Sequence, residues 1–172
     1  NMYQTIFIII AISIAFSINP VFGDRQDWGE IKHNVIDEAS GIVVSRKNKD
    51  IFWTHNDSGD KNRIYAFNNK GEHLGEFYID GAKGRDWEDI AIGPGPIDGK
   101  DYIYVGNIGD NLSQFNTKFI YRFIEPDLNI KTIPKSDTIF QVDKISFQYI
   151  DGKYDAETLM IDPITKDIFI LT

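Results

Sequence analysis

Cysteine is absent from the 172 residues. Without thiols the chain has neither a disulfide framework nor a Cys-based zinc site, so the fold must stand on its packing, on a metal held by other ligands, or on both. Histidine is scarce: His33, His55 and His73 are the only three, and their scatter makes zinc a poor fit. Positive charge is in deficit, with 18 Lys and Arg against 26 Asp and Glu and a formal net charge of −8. Such a balance lacks the cationic surface that neutralises phosphate, which excludes nucleic acid as a partner and argues against an anionic membrane surface. A metal cation or a neutral ligand suits it better.

Also missing is an apolar run of the roughly 20 residues that a membrane-spanning helix needs. The longest apolar run, Ile6 to Ile18, carries no charge and is followed by Asn19-Pro20 and Val21-Phe22-Gly23. Val21 and Gly23 fit the −3 and −1 positions of a signal-peptidase site, which predicts a signal peptide over residues 1–23 and a secreted or periplasmic mature chain from Asp24. Met2 to Thr5 carry no Lys or Arg, so an uncleaved anchor is the alternative.

What is present is strand-like text. From Trp28 onward short β-branched and aromatic runs alternate with Asp, Asn, Gly and Pro, and no long stretch shows a helical period. The 42% of hydrophobic residues suffice for the core of one domain, residues 24–172. These runs repeat. Glu38-Ala-Ser-Gly-Ile42-Val-Val44 returns as Asp86-Trp-Glu-Asp-Ile90-Ala-Ile92 and as Asp155-Ala-Glu-Thr-Leu159-Met-Ile161. A second element reads Asp50-Ile-Phe-Trp-Thr-His-Asn56, Asp101-Tyr-Ile-Tyr-Val-Gly-Asn107 and Asp167-Ile-Phe-Ile-Leu-Thr172; a third reads Ile64-Tyr-Ala-Phe67 and Ile120-Tyr-Arg-Phe123. A fourth strand is expected over Glu72 to Ile79 and again within Thr138 to Ile150. Glu38 and Asp86 lie 48 residues apart, and the longer second interval is attributed to extra residues around Pro126 to Pro134. About 40–50 residues for four antiparallel strands is the spacing of a propeller blade. The expected fold is therefore an all-β propeller of four-stranded antiparallel blades, with about two and a half blades in this stretch. Closure takes about four to eight, so the sequence reads as the front part of a larger wheel. A β-sandwich also repeats strands at short spacing, but it does not return the same side chains in register.

In such a blade the first strand starts, and the second ends, on one face near the channel. The expected set at that face is Glu38, Asn56, Asp57, Asp86, Glu88, Asn107, Asp110, Asp155 and Glu157. Converging carboxylates repel unless a cation is present or some stay protonated. Hard oxygen ligands with little His suit calcium, which takes about 6–8 oxygens. Asp and Asn in turns also serve simply to satisfy backbone N–H groups; it is the convergence of the set that favours a metal site. Candidate catalytic groups are Asp57 and Glu88 as nucleophile or base, and His55 as a base.

Six motifs in this order, Glu38-Ala-Ser-Gly-Ile42, Trp53-Thr-His-Asn-Asp-Ser-Gly59, Asp86-Trp-Glu-Asp-Ile-Ala91, Gly106-Asn-Ile-Gly-Asp-Asn111, Tyr121-Arg-Phe-Ile-Glu-Pro126 and Asp155-Ala-Glu157, resemble those of a family of secreted bacterial-type β-propeller proteins. The resemblance implies a propeller and export but brings no established reaction. The chain departs from it at Asn107, where an aspartate is expected. A looser architectural similarity to calcium-dependent propeller hydrolases of the gluconolactonase and phosphotriesterase kind would place Glu38, Asn56 and Asn107 around the ion. Two functions follow as expectations: a binding propeller for a small molecule, glycan or protein with calcium at the channel mouth, and, as the alternative, a calcium-dependent hydrolase of lactones, esters or phosphoesters.

Overall fold

The computed structural model describes residues 23–128 and 133–172. The expected signal segment lies outside the described residues except for Gly23. Among the described residues there is no helix; eleven strands form three sheets. Strands β1 (Ala39–Val44), β2 (Ile51–Asn56), β3 (Arg63–Asn68) and β4 (His73–Ile79) form one antiparallel meander. Strands β5 (Trp87–Pro94), β6 (Asp101–Asn107), β7 (Lys118–Ile124) and β9 (Asp143–Phe147) form a second, and β10 (Thr158–Ile161) with β11 (Ile168–Leu171) a third. The repeated sequence elements thus return as strands in equivalent places.

The extra residues before β9 have a structural use. They carry β8 (Lys135–Ile139) back to the first sheet, where it adds in parallel to β4, with Gly75 opposite Lys135 and Ile79 opposite Ile139. Gly75 makes this approach possible, because a Cβ there would meet the Lys135 carbonyl oxygen at 2.7 Å.

The sheets stack through their apolar faces. Ile51, Trp53, Ile64, Ala66 and Phe77 of the first sheet meet Ile90, Ile103, Val105, Tyr121 and Phe123 of the second. Ala91, Tyr102, Tyr104 and Ile120 on the other face of the second sheet meet Leu159 of the third. Side chains alternate along a strand, so Ile103 and Val105 point one way and Tyr102 and Tyr104 the other. This is why β6 is apolar from Tyr102 to Val105: it is buried on both sides. Each fully buried side chain of this size contributes about 1.5–3 kcal/mol relative to exposure. The first strands are neighbours, β1 against β5 and β5 against β10.

The third sheet corrects one expectation. Asp50, Asp101 and Asp167 were expected as equivalent strand starts. The ladder sets Ile168 opposite Ile161, as Ile103 faces Ile92 and Phe52 faces Val44. Asp167 therefore falls one residue out of register. The connecting turn is tighter here, closed by Asp162 Oδ1, which accepts from the N–H groups of Ile164 (2.7 Å) and Thr165 (2.8 Å).

At the end of the seam away from the strand starts, the first two sheets are joined by Glu125. Its carboxylate accepts from Ser45 Oγ, from the backbone N–H of Arg46 (3.2 Å) and Lys47 (3.0 Å), and from Trp53 Nε1 (2.9 Å). Asn48 extends the join, donating to the Pro126 carbonyl at 3.0 Å and accepting from Leu128 N–H at 2.9 Å.

Candidate metal centre at the strand starts

Strands β1, β5 and β10 begin, and β2 and β6 end, at one end of the stack. Backbone bonds fix this within each sheet: Asp57 N–H donates to Glu38 O at 2.9 Å, Gly109 N–H to Asp86 O at 3.4 Å, and Glu157 N–H to Leu171 O at 3.3 Å. Between sheets, the start of one meets the end of the second strand of the sheet before it. Asp57 thereby meets Asp86 and Glu88, and Asp110 N–H donates to Asp155 Oδ1 at 2.6 Å.

Asp57, Asp86 and Glu88 each place a carboxylate oxygen so that all three lie within 4.8 Å of one another. A calcium ion sits about 2.3–2.6 Å from each ligand oxygen, so three oxygens so spaced can reach one ion. The donor set is hard oxygen without sulfur, which matches calcium rather than a softer metal. Glu88 is buried, and its carboxyl is pushed up to about 8, first by that burial, then by a hydrogen bond with Glu157 and by the charges of Asp57, Glu157 and Asp86. Asp86 is also raised, by burial and by the charges of Asp57 and Asp155, with Arg85 opposing. Among the described residues no Lys or Arg forms an ion pair with any of the three. Negative charge is thus concentrated here, with Arg85 the cation that acts on Asp86 without pairing to it.

The other expected ligands are placed differently. Glu38 is exposed, and among the described residues no strand end of another sheet meets it. It lines a cavity of about 450 Å³ with Asn34, Asp37, Asn56 and Asp60. Asn56 is buried and its Nδ2 donates to Val35 O at 2.6 Å and to the carboxylates of Asp37 and Asp60 at 3.3 Å each. Asn107 holds backbone on both sides: Nδ2 donates to Lys83 O at 2.9 Å, and Oδ1 accepts from Asp86 N–H at 3.2 Å. An aspartate there could keep the second bond but not the first, which accounts for the amide at this position.

Asp110 carries its own counter-ion, the fully buried Lys118, at 2.8 Å. Burial opposes its ionisation, but Lys118 and the N–H groups of Gln114 and Phe115 outweigh that and hold its carboxyl down at about 2. His55 is fully buried, with Nδ1–H donating to Asn56 O at 2.7 Å and its ring edge-on to Trp87. Burial lowers its pKa against the raising effects of the Asn56 carbonyl, Asp89 and Asp57.

Three further residues shape this end; Asp89 and Gly109 fall in the segments expected at it, whereas Lys118 does not. Gly109 lies against the acidic cluster, and a Cβ there would collide with Glu88 Oε1 and Asp86 Oδ2. Asp89 ties the second sheet to the third, accepting from Leu159 N–H at 2.7 Å. Lys118 neutralises Asp110. A lysine that opens a strand after an acidic turn is the only local sign of the Asp110 pairing, and the contacts of Gly109 and Asp89 depend on neighbours distant in sequence.

No family model, no curated protein and no solved structure matches the chain.

Proposed function

We propose that the chain is part of an exported β-propeller that holds a calcium ion between its first two sheets and binds a ligand or partner at that face. The single observation that carries the reading is the Asp57, Asp86 and Glu88 cluster, three carboxylates with oxygens within 4.8 Å of one another. Like charges so close destabilise the fold unless protons or a cation are taken up. Calcium would neutralise them and, with only three protein oxygens engaged, leave positions for ligand oxygens. The propeller reading draws support from successive meanders stacked face to face with their first strands side by side. In an extracellular setting an affinity of about 10⁻⁴–10⁻³ M would be adequate.

A hydrolytic role is the second reading, favoured by one feature: Glu88 retains a proton near neutrality beside Asp57 and Asp86, the pairing of acid and base that hydrolysis uses. It ranks second because His55 is sealed in the core with Nδ1 committed to a backbone carbonyl.

Calcium titration by calorimetry, with melting curves in calcium and in chelator, tests the metal. Binding should release or absorb heat and raise the melting temperature, by an amount equivalent to about 2.7 kcal/mol at 100 times the dissociation constant. Asp57→Asn combined with Glu88→Gln should abolish both signals. Absence of heat and of any thermal shift in the unaltered protein would refute the calcium site.

A further inference from the structure

Arg85 stands immediately before Asp86 and its charge bears on that carboxyl, yet among the described residues it enters no ion pair. Its Nε and Nη2 are buried and have no hydrogen-bond partner among the described residues. A guanidinium carries five N–H donors and is never neutral in a protein, so unpaired donors at a half-buried arginine are unusual. Its partner is instead the ring of Phe115, whose centroid lies 3.9 Å from Cζ. A cation–π contact of this kind leaves the N–H groups uncommitted.

Both members of the pair are fixed by the backbone around them. On either side of Arg85, Lys83 O accepts from Trp87 Nε1 at 3.0 Å and Asn107 Nδ2 at 2.9 Å, and Asp86 N–H donates to Asn107 Oδ1 at 3.2 Å. Phe115 N–H donates to Asp110 Oδ2 at 2.8 Å, and Asp110 is held in turn by the buried Lys118. The same loop reaches the acidic cluster through Gly109, which packs against Asp86 and Glu88. A plain counter-ion would sit on one of those carboxylates. An arginine set on an aromatic ring beside them is already arranged to receive an anion from outside the protein.

We propose that Arg85 binds the carboxylate of a small organic acid at this face. The planar fork of a guanidinium matches the two oxygens of a carboxylate, which a lysine ammonium does not. Asp57, Asp155 and Glu157 surround Asp86 with negative charge, so a singly charged acid is opposed less than a doubly charged phosphate. Phe115 and Leu112, 40% and 76% exposed on the same loop, offer apolar contact to the rest of the molecule. This inference rests on the ligand-binding reading of the face and adds the class of ligand.

Nuclear magnetic resonance titration of the protein in calcium tests it, with benzoate, its neutral isostere benzamide and the doubly charged phenyl phosphate as probes. The Arg85 Nε–H signal, identified by its loss in Arg85→Lys, and the amide signals of Gly109 to Phe115 provide the readout. Benzoate should shift them saturably, benzamide should not, and phenyl phosphate should bind more weakly than benzoate. Arg85→Gln and Arg85→Lys should each weaken benzoate by about tenfold to a hundredfold, the scale of hydrogen bonds to a charged group, while calcium heat is retained. Should the glutamine variant fail to fold, the lysine variant decides, since it keeps the charge and loses only the fork. No response to benzoate overturns the proposal, as does an equal response to benzamide. Full affinity in Arg85→Lys would make the arginine a distant charge and no more, and tighter binding of phenyl phosphate would overturn the carboxylate. Absence of calcium heat in the unaltered protein refutes the metal alone, because the benzoate titration can be repeated in chelator.

Discussion

Glu88 and Glu125 are both buried glutamates of the second sheet, 7% and 2% exposed, and they sit at opposite ends of its seam with the first. Around Glu125 the first sheet supplies donors: a hydroxyl, two backbone N–H groups, an indole N–H and the Asn48 amide. Around Glu88 the neighbours are Asp57, Asp86 and Glu157, all acids. A buried carboxylate is tolerable when its lone pairs are filled and unfavourable when they are not. The first arrangement is complete within the protein. The second is completed only by a proton or a cation. The difference separates a structural join from a site.

Breaking the complete end should have the largest effect. Glu125→Ala leaves five donors of the first sheet, Asn48 Nδ2 included, without this acceptor, and we expect a loss of about 3–5 kcal/mol, since each buried polar group left unsatisfied costs about 1–3 kcal/mol. Urea unfolding would read it directly, and calcium should not restore it. Lys118→Met should follow at about 2–4 kcal/mol, because it strands Asp110, although the N–H groups of Gln114 and Phe115 still serve that carboxylate. Its loss should shrink as pH falls toward about 2, where Asp110 takes up a proton.

The two ends also differ in how far the sequence announces them. The meanders were legible because β-branched and aromatic runs recur with their turns, and the same repeat located Asp86 and Glu88 at a strand start. Glu125 was not, although it follows Phe123-Ile124 in the expected third strand. Its donors lie near residue 46, and nothing local marks a glutamate as the acceptor for a distant turn. Asn107 was misread for a related reason. Its type suggested a weakened ligand, whereas its amide is needed to bond Lys83 O, a contact fixed only by the path of the loop before β5. The excursion to β8 likewise showed only as excess length, since parallel pairing at an edge depends on Gly75 accepting a neighbour that comes from sixty residues away.

The acidic end can be probed by pH. Glu88 has its folded pKa raised from 4.5 to about 8, so its contribution is fully present below about 4.5 and is lost as pH rises through 8. Asp86, raised as well, adds to the same slope. Allowing for screening by solvent at this end of the stack, the loss between pH 5 and 8.5 should amount to about 1–2 kcal/mol in chelator. Calcium should flatten the profile by taking the place of the proton, and Glu88→Gln should flatten it in either condition. A profile that falls equally steeply with and without calcium would put the shared protons, and not an ion, at the centre of the cluster.

Asp57→Asn should give the smallest effect and the most specific one. Asp57 is only half-buried, and its Oδ1 accepts from Ser58 N–H at 2.6 Å, a bond that the amide oxygen of asparagine retains. The substitution thus subtracts charge and little else. In chelator it removes repulsion of about 1 kcal/mol, the scale for two charges about 4 Å apart in water, and the melting temperature should rise by about 2–4 °C. In calcium the same change removes a ligand, and the variant should melt below the unaltered protein. A crossing of the two curves requires a cation that binds where Asp57 meets Asp86 and Glu88. Simple relief of strain would leave the variant more stable in both conditions, and a turn-capping role for the carboxylate would leave it unchanged or weaker in both.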